Sequence, residues 1–286
     1  MKMIKHIAAA AALLAAVPAF AAIQGGVATS QDGELYFTVF DQSRSISYTK
    51  DLGQFISAFR VAADNVEAGY SKSFSLAGDA NWTSFLAQAD ASQLVWNVTG
   101  HALSGGTQAG KVKLLTTIKN GDEALVADWT NQKFSFGISS ATVGTFLGAL
   151  NPTGTHGVPG AATNYAINGS SVNKLSEGTG NAYFGKWVGE YFNGNATFSN
   201  SNAIGASAAF DLITRTGTDQ LALVNVNPFA NSQNTGKWTF AIGANGPVLD
   251  YTLAAVAAPV PEPTTYALLM AGLLAMGFVV RRRNQA

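Results

Sequence analysis

The clearest pattern of apolar and polar residues lies in the stretch GELYFTVFDQSRSISYTK. Residues that favour β-strands fill 35–40, the polar segment 41–44 follows, and Ile46 and Tyr48 resume the alternation. Two alternating runs separated by a short polar segment are typical of an antiparallel hairpin. We therefore predict strands on both sides of the 41–44 turn.

Short apolar runs bounded by turn residues recur along the rest of the chain, and each is long enough for one strand. The last three are separated by the turn-rich segments NPFANSQNTGK and GANGP, so we predict an antiparallel meander there. The predicted strands cover 94–98, 112–118, 208–214, 221–226, 238–242 and 248–253.

Two stretches have helical spacing instead. DANWTSFLAQAD places Asp79 as an N-cap ahead of apolar residues three and four positions apart. NQKFSFGISSATVGTFLGALNPTG predicts a second helix ending near Asn151, although Gly137 and Gly144 weaken it. The expected fold is mainly β: an antiparallel β-sandwich or jelly-roll-like domain with a few helices.

The first residues have the three zones of a secretory signal peptide. Lys2 and Lys5 are basic, 7–17 is apolar, and Ala19 and Ala21 occupy the two positions that signal peptidase reads. The apolar zone is shorter than the roughly 20 residues that cross a bilayer. We predict export, with cleavage after Ala21.

A second apolar segment lies at 264–280 and is followed by Arg281, Arg282 and Arg283. We predict a transmembrane helix over 264–280, with the arginines as a basic stop-transfer cluster on the cytoplasmic side. The body of the protein would then lie on the other side of that membrane.

Pro261, Glu262 and Pro263, followed by this helix and the arginine cluster, resemble a PEP-CTERM sorting signal. The resemblance covers only the C-terminal tail. It implies a protein exported by a Gram-negative bacterium, whose tail exosortase recognises and removes at the inner membrane. It also implies a cell-surface or extracellular-matrix setting with exopolysaccharide and biofilm.

The chain thus divides into a signal peptide at 1–21, an extracytoplasmic β-rich domain at 22–258 and a sorting segment at 259–286. It contains no cysteine, which excludes disulfides and thiol catalysis. The 22–258 body carries 12 Lys+Arg against 16 Asp+Glu, a net charge of −4. This balance argues against nucleic acid as a partner.

Catalytic chemistry has few candidates in the body. His101 and His156 are far apart in sequence, without metal-ligand spacing, and His156 is expected to be exposed in a loop. No nucleophile-elbow or phosphate-loop motif occurs in the sequence. We expect no enzyme activity and no cofactor. No metal site is predicted, although the acidic stretches SQDGE and NGDEALVAD leave calcium binding open. Acidic residues that flank predicted strands, mostly expected as solvated edge charges, are Glu34, Asp41, Asp128, Glu190, Asp211 and Asp250.

The stretch NAYFGKWVGEYFNGN places Tyr183, Trp187 and Tyr191 on one side, whether it is helix or strand. Such aromatics can stack on sugar rings, although large aromatics more often bury their surface in the core of their own domain. We therefore expect a structural or adhesive surface protein. The alternatives are a polysaccharide-binding module using these three aromatics and a secreted glycoside hydrolase with two carboxylates.

Overall fold

The computed structural model describes residues 22–26, 32–104, 106–156, 169–192, 197–244, 246–258 and 263–284. The predicted signal peptide, with Ala19 and Ala21, lies outside the described residues, and so do Pro261 and Glu262. One compact unit runs to Ala255 and a second begins at Val256.

Strands dominate the described part of the first unit, and every strand pair in it is antiparallel. They form a single eleven-stranded sheet in the order β3-β11-β10-β8-β5-β4-β1-β2-β6, with β7 paired to β4 and β9 to β8. The strands are β1 (Glu34–Asp41), β2 (Ile46–Phe55), β3 (Tyr70–Ser75), β4 (Val95–Ala102), β5 (Lys113–Ile118), β6 (Ser170–Lys174), β7 (Asn202–Ala203), β8 (Ser207–Thr214), β9 (Asn225–Pro228), β10 (Lys237–Gly243) and β11 (Gly246–Leu253).

Short helices connect and cover this sheet. The α-helices are α1 (Ile56–Ala63), α2 (Ala80–Leu86), α3 (Asn131–Gly137), α4 (Ser140–Leu150), α5 (Phe184–Trp187) and, in the second unit, α6 (Pro263–Arg283). Turns of 3₁₀-helix occupy Ala91–Gln93 and Glu123–Asp128. Asp79 caps α2 as predicted, because its carboxylate accepts hydrogen bonds from the backbone N–H groups of Asn81 and Trp82.

The sheet curls until one of its faces closes on itself. Phe37 on β1 and Phe240 on β10 have ring centroids 4.8 Å apart, although β8, β5 and β4 lie between their strands in the sheet. Trp82 of α2 also meets Phe240, at 5.6 Å. The two halves of one sheet therefore face each other across a core, as separate sheets do in a sandwich.

The opposite face of the sheet is covered by α3, α4 and α5. Successive side chains of a strand point to opposite faces, so Phe37 enters the first core while Tyr36 and Phe40 enter the second. Tyr36 packs on Phe146 of α4 and Phe40 on Phe184 of α5, with ring centroids 6.0 and 5.2 Å apart. Every residue of β1 is therefore buried.

The predicted hairpin and its turn are confirmed by the pairing of β1 with β2. The predicted meander is confirmed for its last two strands, because β10 and β11 form an antiparallel pair. It is wrong for β9, which pairs with β8, while β10 pairs with a different part of β8. The predicted sandwich is corrected to one continuous curled sheet. The long second helix is interrupted at Ile138 and Ser139, between α3 and α4, where Ser139 starts a new helix by capping it.

The second unit contains α6, in which the predicted segment 264–280 is helical. The predicted transmembrane span is not supported, because no helix among the described residues is long and apolar enough to cross a membrane.

Candidate functional site

The three aromatics of the predicted sugar-stacking face have different environments. Tyr183 is 5% exposed and Tyr191 is 45% exposed, while Trp187 is half-buried against the second core. The helical spacing does not reach Tyr191, because α5 ends at Trp187 and Gly189 turns the chain with a φ of +62°. The structure therefore does not present the three rings on one exposed face.

Trp187 has little free ring surface. Its indole N–H donates to the side-chain oxygen of Asn181 at 2.9 Å, and the Lys186 ammonium lies 5.4 Å from its ring centroid. One ring face is thus occupied by a cation and the edge is fixed by a hydrogen bond. These contacts stabilise the α5 turn.

Tyr191 lies at a cavity of about 210 Å³ on this side of the molecule. The polar side chains of Gln42, Lys186 and Glu190 share the lining with Gly185 and Gly189. An exposed phenol ring beside a cation, a carboxylate and an amide can stack on a sugar and hydrogen-bond its hydroxyls. Sugar binding by this segment stays a prediction, for which Tyr191 supplies the exposed ring.

Both histidines of the body are buried, so the predicted exposure of His156 is wrong. His156 is fully buried under the β2–β6 edge, and burial lowers its pKa to about 4. His101 packs 5.8 Å from the Tyr36 ring, with its Nδ1 3.3 Å from the Tyr36 hydroxyl, and burial lowers its pKa to about 3. Both imidazole rings are therefore buried and uncharged at pH 7.

Three of the six candidate carboxylates are buried instead of lying at solvated edges: Glu34, Asp41 and Asp211. Asp41 organises the hairpin turn, because it accepts hydrogen bonds from the Ser43 hydroxyl and from the backbone N–H groups of Arg44 and Asp90. Burial is the main factor that raises the pKa of Asp211, to about 6.

Glu34 forms a coupled acidic pair with Asp51, a residue that the sequence pattern did not single out. The two residues lie on paired strands next to an irregularity at Leu35 and Tyr36. Burial, followed by the charge of Asp51, raises the pKa of Glu34 to about 7, and burial raises that of Asp51 to about 6. Neither carboxylate lines the cavities that contain Asp32, Arg60, Arg215 or Tyr191.

The Glu34 side chain fixes the beginning of the described chain. Its carboxylate accepts a hydrogen bond from the backbone N–H of Gln24 at 2.7 Å. The backbone N–H of Glu34 donates to the Gln24 carbonyl at 2.8 Å. Ile23 is buried, and its backbone exchanges two hydrogen bonds with the side chain of Asn151.

Asp79 is the centre of a polar network near β6. Its carboxylate accepts hydrogen bonds from the hydroxyls of Tyr48 and Ser170 at 2.8 and 2.9 Å, and Lys50 lies 3.5 Å away. Burial would raise its pKa, but these hydrogen bonds lower it below the usual range. The network attaches α2 to β2 and β6.

Metal ligation finds no support in the described ranges, where no group of three or more His, Cys, Asp or Glu is arranged to hold an ion. Arg281, Arg282 and Arg283 form the last turn of α6, where cations face the negative end of the helix dipole. Pro263 is the first residue of the same helix.

The C-terminal tail matches a known family model. Its residues 259–283 match the family model of the PEP-CTERM protein-sorting motif. The chain carries a PEP-CTERM sorting motif. This PEP-CTERM motif implies an exported protein that exosortase processes. No curated protein and no solved structure matches the chain.

Proposed function

We propose that this protein is a structural or adhesive component of the cell surface or extracellular matrix of a Gram-negative bacterium. The observation that carries the proposal is the PEP-CTERM motif at 259–283. The protein works among exopolysaccharides in a biofilm and does not catalyse a reaction. The lack of a nucleophile-elbow or phosphate-loop motif in the sequence and its many neutral polar residues support this role.

The proposed route has two cuts. Signal peptidase cleaves after Ala21, and the precursor stays at the inner membrane through its tail. Exosortase then recognises Pro261, Glu262 and Pro263 and removes the helix and the arginine cluster. The body is delivered to the surface, where it stays attached or enters the matrix.

Replacing Pro261, Glu262 and Pro263 together by alanine tests the route in the native host. We expect the variant to accumulate in the inner membrane fraction, while the wild-type protein reaches the surface. Pro228→Ala is the matched control, because Pro228 is an exposed proline of β9 far along the chain from the motif. Equal surface delivery of the triple variant and the control would refute exosortase sorting.

Intact-mass measurement of the surface form tests both cuts directly. The expected mass corresponds to a chain that begins near Ala22 and ends near Pro261, with or without an added group. A mass that retains Arg281–Arg283 would mean that the tail is a permanent part of the mature protein.

Polysaccharide binding at the Tyr191 cavity is a second candidate function. The supporting observation is that Tyr191 is 45% exposed at a polar cavity of about 210 Å³. Tyr191→Ala should abolish retention on a matrix of the host exopolysaccharide. Phe136→Ala replaces another exposed aromatic of the body, 59% exposed in α3, and should leave retention unchanged. Unchanged retention of Tyr191→Ala would exclude this site.

A further inference from the structure

Arg215, the residue after β8, is a buried cation without a carboxylate partner. It is only 6% exposed, and within the described ranges no Asp or Glu oxygen lies within 4.0 Å of its guanidinium. All acidic residues of the sequence except Glu262 belong to those ranges. A buried charge without a counter-ion is costly, and arginine cannot escape the cost by losing its proton.

The guanidinium is held in place by neutral groups. Its Nε donates to the carbonyl of Gly217 at 3.2 Å, and one terminal nitrogen donates to the Ser135 hydroxyl. In the part of the chain that the structure describes, the second terminal nitrogen makes no hydrogen bond. The guanidinium group is therefore fixed in orientation, although some of its N–H groups make no hydrogen bond.

A cavity of about 170 Å³ lies at this arginine. Hydroxyl-bearing Thr107, Ser135 and Ser139 share the lining with Arg215, and Leu103, Val112 and Ile138 form an apolar wall. Thr107 is exposed, so the cavity opens to solvent on that side. Ser139 is the N-cap of α4, an eleven-residue helix whose dipole is positive at this end.

We propose that this cavity is an oxyanion-binding site, in which the Arg215 guanidinium group binds a carboxylate, sulfate or phosphate group. A fixed guanidinium matches the paired oxygens of such groups, and the exposed hydroxyl of Thr107 supplies a further donor. The apolar wall weakens the competition of water for the charge. The site holds one anionic group, either a free ion or the acidic substituent of a sugar. It does not depend on the sorting route.

The test follows the Nε–H resonance of Arg215 by NMR in the labelled full-length chain, with Arg215→Lys for assignment. The probes are sodium sulfate, sodium phosphate and glucuronate, with glucose as the neutral sugar and constant ionic strength. We expect a saturable shift with the three oxyanions and none with glucose. Tighter binding of glucuronate would identify an acidic sugar as the source, and tighter sulfate or phosphate a free ion.

Thr107→Glu supplies a variant that should fold, because Thr107 is exposed at the mouth of the cavity. Its carboxylate provides an internal counter-ion, so we expect at least a tenfold loss of oxyanion affinity. Gln108→Glu is the matched control, since Gln108 is exposed, adjacent and outside the cavity lining. Equal losses in both variants, a response to glucose, or no saturable shift with any oxyanion would overturn the proposal.

Discussion

Glu34→Gln should change how the stability of the protein depends on pH. Glutamine has the shape of the protonated glutamic acid and keeps an oxygen for the Gln24 N–H, which Glu34 accepts at 2.7 Å. Only the ability to become charged is removed. Since Glu34 is 4% exposed and lies near Asp51, its ionised form is disfavoured by burial and then by repulsion.

The expected magnitude follows from the pKa of Glu34, which rises from 4.5 to about 7 in the folded protein. At 1.36 kcal/mol per pKa unit this corresponds to about 3 kcal/mol, which solvent screening reduces to about 1–2 kcal/mol. The folded state binds this proton more tightly than the unfolded state does. The stabilisation is therefore complete below pH 4.5 and is lost as the pH rises through about 7.

Urea unfolding followed by tryptophan fluorescence at pH 4.5 and pH 8 measures the effect. We expect equal free energies of unfolding for wild type and variant at pH 4.5, and a variant more stable by about 1–2 kcal/mol at pH 8. Glu177→Gln, at an exposed glutamate, is the control and should shift neither value. The same stability difference at both pH values would refute the argument from a buried carboxylate.

Further variants probe other parts of the structure by the same unfolding assay. Asp79→Ala should lose about 2–3 kcal/mol, because it removes a helix cap and the acceptor of two buried hydroxyls; a loss below 0.5 kcal/mol would contradict the network. Phe240→Ala should cost about 3–5 kcal/mol, since its ring joins the two halves of the curled sheet; wild-type stability would disprove that contact. The free energy of unfolding of the wild type should also fall as the pH drops from 6.5 towards 4, because His101 and His156 are buried in neutral form. If the free energy of unfolding of the wild type changed with pH no more than that of the His101→Gln, His156→Gln double variant, this explanation would be contradicted.

Local patterns predicted local structure well. The β1–β2 hairpin and the α2 cap depend on residues within a few positions of each other, such as Asp79 and the backbone of Trp82. The spacing of Ile56, Phe59 and Ala63, which α1 buries, is also helical and indicates this helix from the sequence. Strand β6 gives no such signal, because its sequence SSVNK is polar and its pairing with β2 is distant in sequence.

The long-range arrangement of the strands could not be predicted from the pattern of apolar and polar residues. Strand alternation does not reveal that β10 joins β8, nor that the sheet curls until Phe37 meets Phe240. The same limit applies to the sites. Tyr183 and Tyr191 have similar local sequences and opposite exposure, and Arg215 is a lone arginine whose burial depends on α3 and the 106–112 loop.

The position of β11 in the sheet determines how the protein responds to pulling. Strand β11 is paired over seven residues with β10 and over six with β3, and residues 254–258 follow it directly. Tension applied through 254–258 therefore loads two rows of backbone hydrogen bonds at once, in shear along the strand. Bonds loaded in shear share the force, whereas bonds at a peeled edge break one after another. A protein held by its tail in a moving matrix would thus resist extraction through a slow forced unfolding rate, whatever its equilibrium stability.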